Sequence, residues 1–274
     1  MIGELTMTRL QTGRVLIVAG SDSGGGAGIQ ADLKTVTCLG GYGASAITAL
    51  TAQNTMGVFA VEAVPPAFVQ RQIDLVIDDI GADCIKTGML ASAPIIAAVA
   101  DSLDRVPDVP LVLDPVMVAK GGAALLDPAA VETLIVRLLP RARLLTPNLP
   151  EAEALLGRRI PDAAAMEAAA CALLRFGSQA VLLKGGHLDG DDLIDLLADS
   201  DGVRVFSGRR LPGNSTHGTG CTLASAIATG LAQGLGLDAA VERGRAYVRR
   251  AIETAPGLGR GHGPLNHGHT VSAF

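Results

Sequence analysis

Short apolar runs alternate along this chain with longer stretches whose apolar positions recur every three or four residues, the pattern of strands alternating with helices. Residues 14–20 are an apolar, β-branched run that gives way to Ser21-Asp22-Ser23-Gly24-Gly25-Gly26-Ala27-Gly28, after which helical spacing carries on through Val36. That order predicts strand, glycine loop, helix. Further strands are expected at residues 44–52, 58–64, 83–87, 111–114, 142–146 and 180–184. Helices are expected from Pro65-Pro66 to Ile80, where Val69, Ile73, Val76, Ile77 and Ile80 form a one-sided stripe, and at 93–103, 128–139, after Pro147, at 163–176 and at 238–254. Residues 193–197 and 203–211, joined by Asp199-Ser200-Asp201-Gly202, are expected to form an antiparallel pair. Alternation from Arg14 to Lys184 with apolar strands predicts a mostly parallel α/β sheet covered by helices on both faces.

Composition narrows the classes. The chain has 274 residues, 49% of them hydrophobic but only 3% aromatic, with no Trp. Such a mix of small apolar residues suits close helix-on-sheet packing. A net charge of −5 with acids and bases interspersed lacks the basic stripe that tracks a phosphate backbone, so nucleic acid is not an expected partner. No wholly apolar run reaches membrane-spanning length, and residues 1–12 lack a basic region followed by an apolar core, so a cytoplasmic protein is expected. Cys38, Cys84, Cys171 and Cys221 are scattered without a C-x-x-C pair, against a disulfide framework or structural zinc.

The stretch that carries most chemistry is Asn214-Ser215-Thr216-His217-Gly218-Thr219-Gly220-Cys221, opening an Ala-rich helix that runs to about Gly234. Small residues before a helix leave N–H groups free at its positive end, a cradle for phosphate. Cys221 falls in the first turn, where the dipole favours thiolate and a base is expected; the other reading is a tight turn with a small packing Cys. The loop at 20–28 is not a dinucleotide fingerprint, because the third glycine of G-x-G-x-x-G counted from Gly24 would be Ile29, and no G-x-x-x-x-G-K-[ST] occurs. Asp22 at its mouth either bonds substrate or caps the following helix, capping being favoured. Gln53, at a strand tip, can give and accept one hydrogen bond each, as an aminopyrimidine edge requires. Asp114, followed by Pro115, is placed at the carboxyl edge of the sheet. Asn148 and Glu151 form an N-x-x-E capping pair and, with Asp114, could hold Mg²⁺ through oxygens or waters. Lys184, before Gly185-Gly186-His187, is a point charge suited to a triphosphate. The three histidines at 262, 267 and 269 are read as a surface loop in preference to a metal site.

Together these segments carry a recognisable pattern. Ala19-Gly20-Ser21-Asp22 with residues 25–35, Ala49-Leu50-Thr51-Ala52-Gln53-Asn54-Thr55, Lys86-Thr87-Gly88-Met89-Leu90, Asp114-Pro115-Val116-Met117, Thr146-Pro147-Asn148-Leu149-Pro150-Glu151-Ala152, Lys184-Gly185-Gly186-His187 and Thr216-His217-Gly218-Thr219-Gly220-Cys221-Thr222 stand in family order over nearly the whole chain. The sequence resembles the hydroxymethylpyrimidine/phosphomethylpyrimidine kinases of thiamin synthesis, members of the ribokinase-like superfamily. The resemblance implies a three-layer α/β/α domain over 13–274 with residues 1–12 as an extension. It also implies a kinase using ATP and Mg²⁺ that phosphorylates 4-amino-5-hydroxymethyl-2-methylpyrimidine and then its monophosphate. Gln53 matches the pyrimidine-binding position, with Asp22, Gly20, Met89 and Val116 on the substrate side. Cys221 matches the catalytic position, its neighbours Gly218, Thr219 and Gly220 supplying amides to the phosphoryl group. Lys184, Thr216 and His217 are implied for ATP, and Asp114, Asn148 and Glu151 for the metal. Pyridoxal kinase activity is the nearest alternative and a non-catalytic nucleotide or pyrimidine sensor a more distant one. A homodimer is a candidate assembly that the sequence does not fix.

Overall fold

A computed structural model describes residues 12–118, 122, 125–127, 129–186, 188 and 190–272. The expected extension at 1–12 therefore lies, but for Thr12, outside the described residues, as do Gly121 and His187.

The chain runs β1 (Arg14–Asp22), α1 (Gly28–Cys38), β2 (Tyr42–Asn54), β3 (Gly57–Ala63), α2 (Pro66–Asp79), β4 (Cys84–Thr87), α3 (Ala93–Leu103), β5 (Leu111–Leu113) and α4 (Ala130–Arg137). It continues β6 (Ala142–Leu145), α5 (Leu149–Leu156), α6 (Ala163–Leu174), β7 (Ala180–Lys184), β8 (Asp192–Asp199), β9 (Gly202–Arg209), α7 (Thr219–Ala232) and α8 (Leu237–Glu253). These strands make one sheet in the order β3-β2-β1-β4-β5-β6-β7-β8-β9. It is parallel from β2 through β7.

Period-two alternation assigns the two faces. On β1, Val15, Ile17 and Ala19 pack with Ile227, Ala228 and Val241 of α7 and α8, while Leu16 and Val18 join Val69, Ile73, Ile96 and Leu134 on the other side. Strand β1 therefore has to be apolar throughout Val15 to Ala19, which is why that part reads as a continuous run.

Three expectations need correction. The antiparallel part is wider than the β8–β9 pair, since β7 also pairs antiparallel with β8, and β2 turns back on β3 as a hairpin at the opposite edge. The helix expected at 128–139 is the shorter α4, closed by a 3-10 turn at Leu139–Arg141 whose Pro140 cannot continue the helical ladder. The tail after α8 is not a surface loop: Leu265 and His267 are buried, the Tyr247 hydroxyl donates to the His267 carbonyl at 2.6 Å, and the His267 ring meets Thr222 Oγ1 at 3.0 Å. Glycines set the tail's path, but contacts with α7 and α8 decide its burial.

The winding direction reverses at β1, which has β2 on one side and β4 on the other. Open α/β sheets bind ligands in the crevice at the carboxyl ends of such strands. Here those ends carry Gly20–Asp22 and Thr87–Met89.

Candidate active site

The glycine loop after β1 is held from within by Asp22. Its buried carboxylate accepts from the amides of Gly24 at 2.7 Å, Gly26 at 3.0 Å and Ala27 at 2.8 Å. The favoured capping role is thus replaced by a loop-organising one, for α1 takes Ala27 as N-cap with no side-chain cap. Burial pushes the Asp22 carboxyl up, but His217 and the Ala27 and Gly24 amides outweigh it and hold it below the ordinary carboxylate range.

His217, expected among the ATP groups, turns toward this loop. Its Nε2 lies 2.9 Å from Asp22 Oδ2 and 3.0 Å from Gln53 Nε2. One ring nitrogen cannot donate to Asp22 and also accept from an amide. With Asp22 ionised the ring N–H points at it, and the Gln53 amide stands against the ring while its Oε1 accepts from Thr51 Oγ1 at 3.3 Å. Asp22, Gln53 and His217 form one polar cluster at the tip of β2.

A second cluster sits across the sheet edge. Lys184 Nζ lies 3.1 Å from Asp114 Oδ1, which also accepts from Thr146 Oγ1 at 3.1 Å. Asn148 and Glu151 close the full capping box at the start of α5: the Glu151 amide donates to Asn148 Oδ1 at 2.9 Å and the Asn148 amide to Glu151 Oε2 at 2.8 Å. Both readings of that pair survive, since the second Glu151 oxygen is left over. Burial pushes the Glu151 carboxyl up to about 7 against the pull of Lys184. Among the described residues no three His, Cys, Asp or Glu side chains gather as a ready metal cluster; two carboxylates and Lys184 share this space instead.

Helix α7 joins the clusters. Gly218, its N-cap, is left-handed at φ +81° and a Cβ there would fall on the Gly26 carbonyl, so glycine lets the helix start press onto the β1 loop. First-turn amides at Thr219, Gly220 and Cys221 have no intrahelical acceptor. A Cβ built on Gly220 would stand 3.3 Å from Lys184 Nζ and 3.6 Å from Asp114 Oδ2, which puts those amides beside the anion-binding side. Thr216 shapes the entry by accepting from Thr219 Oγ1 at 2.6 Å.

Cys221 lies between, on the first turn of α7, and the Gly28 amide at the start of α1 favours its thiolate. The expected lowered thiol is corrected: although the residue keeps some surface, the surrounding protein desolvates it, and burial pushes it up to about 11 in spite of Lys86. Helix-end polarity is too small here to offset desolvation reinforced by Asp32 and Asp114.

The apolar substrate candidates line the floor. Met89 is buried with its Sδ 3.0 Å from where a Gly20 Cβ would be, and Val116 borders a small cavity with Thr87, Gly88 and Asp114. Sequence reasoning overlooked two features. The tail buttresses the site, the His217 amide donating to the Gly263 carbonyl at 3.1 Å. Lys86 and Asp32 form a sealed ion pair at 2.8 Å behind α7; a lysine inside the buried run of β4 was the available signal.

Residues 22–266 match the phosphomethylpyrimidine kinase family. The chain is 51% identical over 261 residues to a hydroxymethylpyrimidine/phosphomethylpyrimidine kinase of Rhizobium meliloti, covering 94% of this chain and 98% of that one. It is 57% identical over 255 residues to a thiamine biosynthesis bifunctional protein of Geobacter sulfurreducens, covering 93% of this chain and spanning 52% of that protein's length. Among solved structures, phosphomethylpyrimidine kinase from Clostridium difficile superposes with a TM-score of 0.78 at 44% identity, over 87% of this chain and 99% of that one. Pyridoxal kinase from Staphylococcus aureus, in complex with AMP-PCP and pyridoxal, gives 0.86 at 35% identity, over 94% of each chain. With the match running from Asp22 of the β1 loop to Asn266 of the tail, this chain belongs to the phosphomethylpyrimidine kinase family.

Proposed function

We propose that this chain transfers the γ-phosphoryl group of ATP to the hydroxymethyl oxygen of 4-amino-5-hydroxymethyl-2-methylpyrimidine, and then a second phosphoryl group to the monophosphate so formed. The observation that carries this reading is the start of α7, which presents first-turn amides and Cys221 between the Asp22–His217–Gln53 cluster and the Lys184–Asp114 pair. Gln53 takes the polar ring edge, with Asp22 holding the loop behind it, and Gly20, Met89 and Val116 take its apolar face. Cys221 accepts the hydroxyl proton in the first step, the freed oxygen attacks phosphorus, and the amides of Gly218, Thr219, Gly220 and Cys221 hold the equatorial oxygens. Lys184 and Thr216 hold the ATP phosphates.

The donor set fits Mg²⁺: hard carboxylate oxygens on Asp114 and Glu151, with the Glu151 carboxyl pushed up to about 7 by burial and by the neighbouring Asp114 charge. Asp114 and Glu151, with Asn148, would hold the ion directly or through waters, and it would supply charge neutralisation at the transferring phosphate. Asp114 follows β5 and Asn148–Glu151 follow β6, which supports holding the ion at the carboxyl ends of neighbouring parallel strands, and none of the described helices is long and apolar enough to cross a membrane. The assembly we propose is a homodimer through the β2–β3 edge, where Phe59 and Val61 are exposed.

An assay resolving pyrimidine mono- from diphosphate, with ATP and Mg²⁺, tests the function. Formation of both products supports it; ATP turnover indifferent to the pyrimidine would remove it. A second reading, pyridoxal phosphorylation, is favoured by the higher TM-score to the pyridoxal kinase, and the same assay run with pyridoxal compares the two alcohols directly.

A further inference from the structure

Behind the reacting loop, two helices face each other along matched rungs. On α7, Cys221 and Ser225 are four residues apart and share a face; on α1, Gly28 and Asp32 do the same. At the outer rung the Gly28 amide favours the Cys221 thiolate, and one turn deeper Ser225 Oγ donates to Asp32 Oδ1 at 2.7 Å. Lys86, reaching over from β4, completes the inner rung with its ammonium 2.8 Å from Asp32 Oδ2. Lys86, Asp32 and Ser225 are all at 0% exposure, so none of them can touch a ligand. A buried ion pair is also a poor source of stability, because desolvating both charges offsets their attraction. Gly88 keeps the space beside the ammonium open, since a Cβ there would stand 2.9 Å from Lys86 Nζ.

We propose that Lys86 is a positioning residue for phosphoryl transfer: a sealed cation, held by Asp32 and Ser225, that meets from the protein side the negative charge on Cys221 in the form that accepts the substrate proton. The role rests on Cys221 acting as the base. Four charged groups face the sulfur, Asp32 from α1, Lys86 from β4, Asp114 beyond β5 and Lys184 at the end of β7. Burial opposes the thiolate first, the two cations favour it and the two anions oppose it, and the sharing of Lys86 between Asp32 and the sulfur tilts that balance. The step moves one proton from the substrate hydroxyl to sulfur, forms the bond from that oxygen to the γ-phosphorus and breaks the bond to the ADP oxygen. Lys86 keeps its protons throughout.

The test is alkylation of Cys221 by iodoacetamide as a function of pH, read by mass spectrometry on the Cys221 peptide, in wild type, Asp32→Asn and the double variant Lys86→Met/Asp32→Asn. The double variant leaves no buried ion alone and is the one that keeps its fold. At pH 8, Cys221 is expected to react about tenfold faster in Asp32→Asn than in wild type, and roughly threefold slower in the double variant. A purely structural ion pair would move both variants in one direction, so an unchanged or inverted order overturns the proposal. Should Asp32→Asn fail to fold, slower alkylation of the double variant against wild type decides alone. The kcat of the first phosphorylation is expected to follow the same order with KM unmoved. An intact alkylation order with kcat unmoved would sink the base assignment of Cys221 rather than the coupling of Lys86 to the sulfur.

Discussion

A thiol that burial holds at about 11 is almost wholly protonated at neutral pH, and the rate it supports as a base then rises with pH until that value is reached. The two phosphorylations should feel this differently. An alcohol gains from losing its proton as it attacks, whereas a phosphate monoester oxygen is largely ionised already at pH 7. Cys221→Ala is therefore expected to lower kcat for the first step by about 10²-fold or more and the second by less than about tenfold, and to flatten the pH slope of the first step between 7 and 9. Product-resolved turnover measures both, and equal losses in the two steps would remove the base role. Glu151 works through stability. Its folded carboxyl stands near 7 against an ordinary 4.5, so the stability it contributes is complete below about 4.5 and drains away as pH rises through 7. Gln can form the same capping box. Glu151→Gln should accordingly stabilise the fold at pH 8 by on the order of 1 to 3 kcal/mol, seen as a higher melting temperature, while leaving the melting temperature unmoved at pH 4.5. A melting difference independent of pH would show that burial of this carboxylate is not the source of its strain.

Among the elements, the tail and the β2–β3 hairpin are joined in a way their sequences do not announce. The His262 amide donates to the Thr55 carbonyl at 2.9 Å, those of Arg260 and Gly261 to Thr55 Oγ1, and Asn214 Nδ2 to the Gly261 carbonyl at 3.1 Å. One segment thereby ties the turn that follows Gln53 to the loop that carries His217. A Cβ on Gly261 would run into the Thr55 carbonyl, so Gly261→Val should loosen this tie, raising KM for the pyrimidine about tenfold with a smaller change in kcat. An unchanged KM would mean that the hairpin holds Gln53 by itself. His267 gives the same tail a pH dependence: burial lowers its imidazole to about 4 from 6.5, so its contribution is present above 6.5 and is lost as pH falls through 4. These connections mark where reading the sequence stops. Strand β1 was legible because Val15 to Ala19 declare burial on both faces locally, and the start of α7 because Gly218 to Cys221 specify their own turn. The Lys86–Asp32 pair spans 54 positions, and His267 meets Thr222 across 45. Neither residue type says at a distance which partner will satisfy it. His217 misled for a related reason: adjacency to a phosphate cradle did not reveal that its ring turns back to Asp22.

At the scale of the whole molecule, the two sheet edges differ in how they meet solvent. Strand β9 alternates exposed and half-buried positions, whereas every residue of β3 from Phe59 to Ala63 is exposed. Phe59 at 71% and Val61 at 42% are joined on the same hairpin by Leu50 and Met56, both more than half exposed. An apolar edge strand left bare is a liability for self-pairing, and proteins ordinarily blunt it with charge or cover it. Glu62 alone supplies charge on β3. A second copy seated on the hairpin would bury these side chains, and because the hairpin also carries Gln53 and Thr55, it would brace the substrate side of each crevice. Sedimentation velocity at micromolar concentration should then give a dimer for the wild-type chain and a monomer for Phe59→Glu. The monomer should bind the pyrimidine several-fold more weakly with a smaller loss in ATP affinity, because Lys184 and Asp114 lie at the other end of the crevice, on strands that the edge does not touch. A wild-type monomer with full activity would separate the exposed edge from function and leave the hairpin's stiffness to the tail alone.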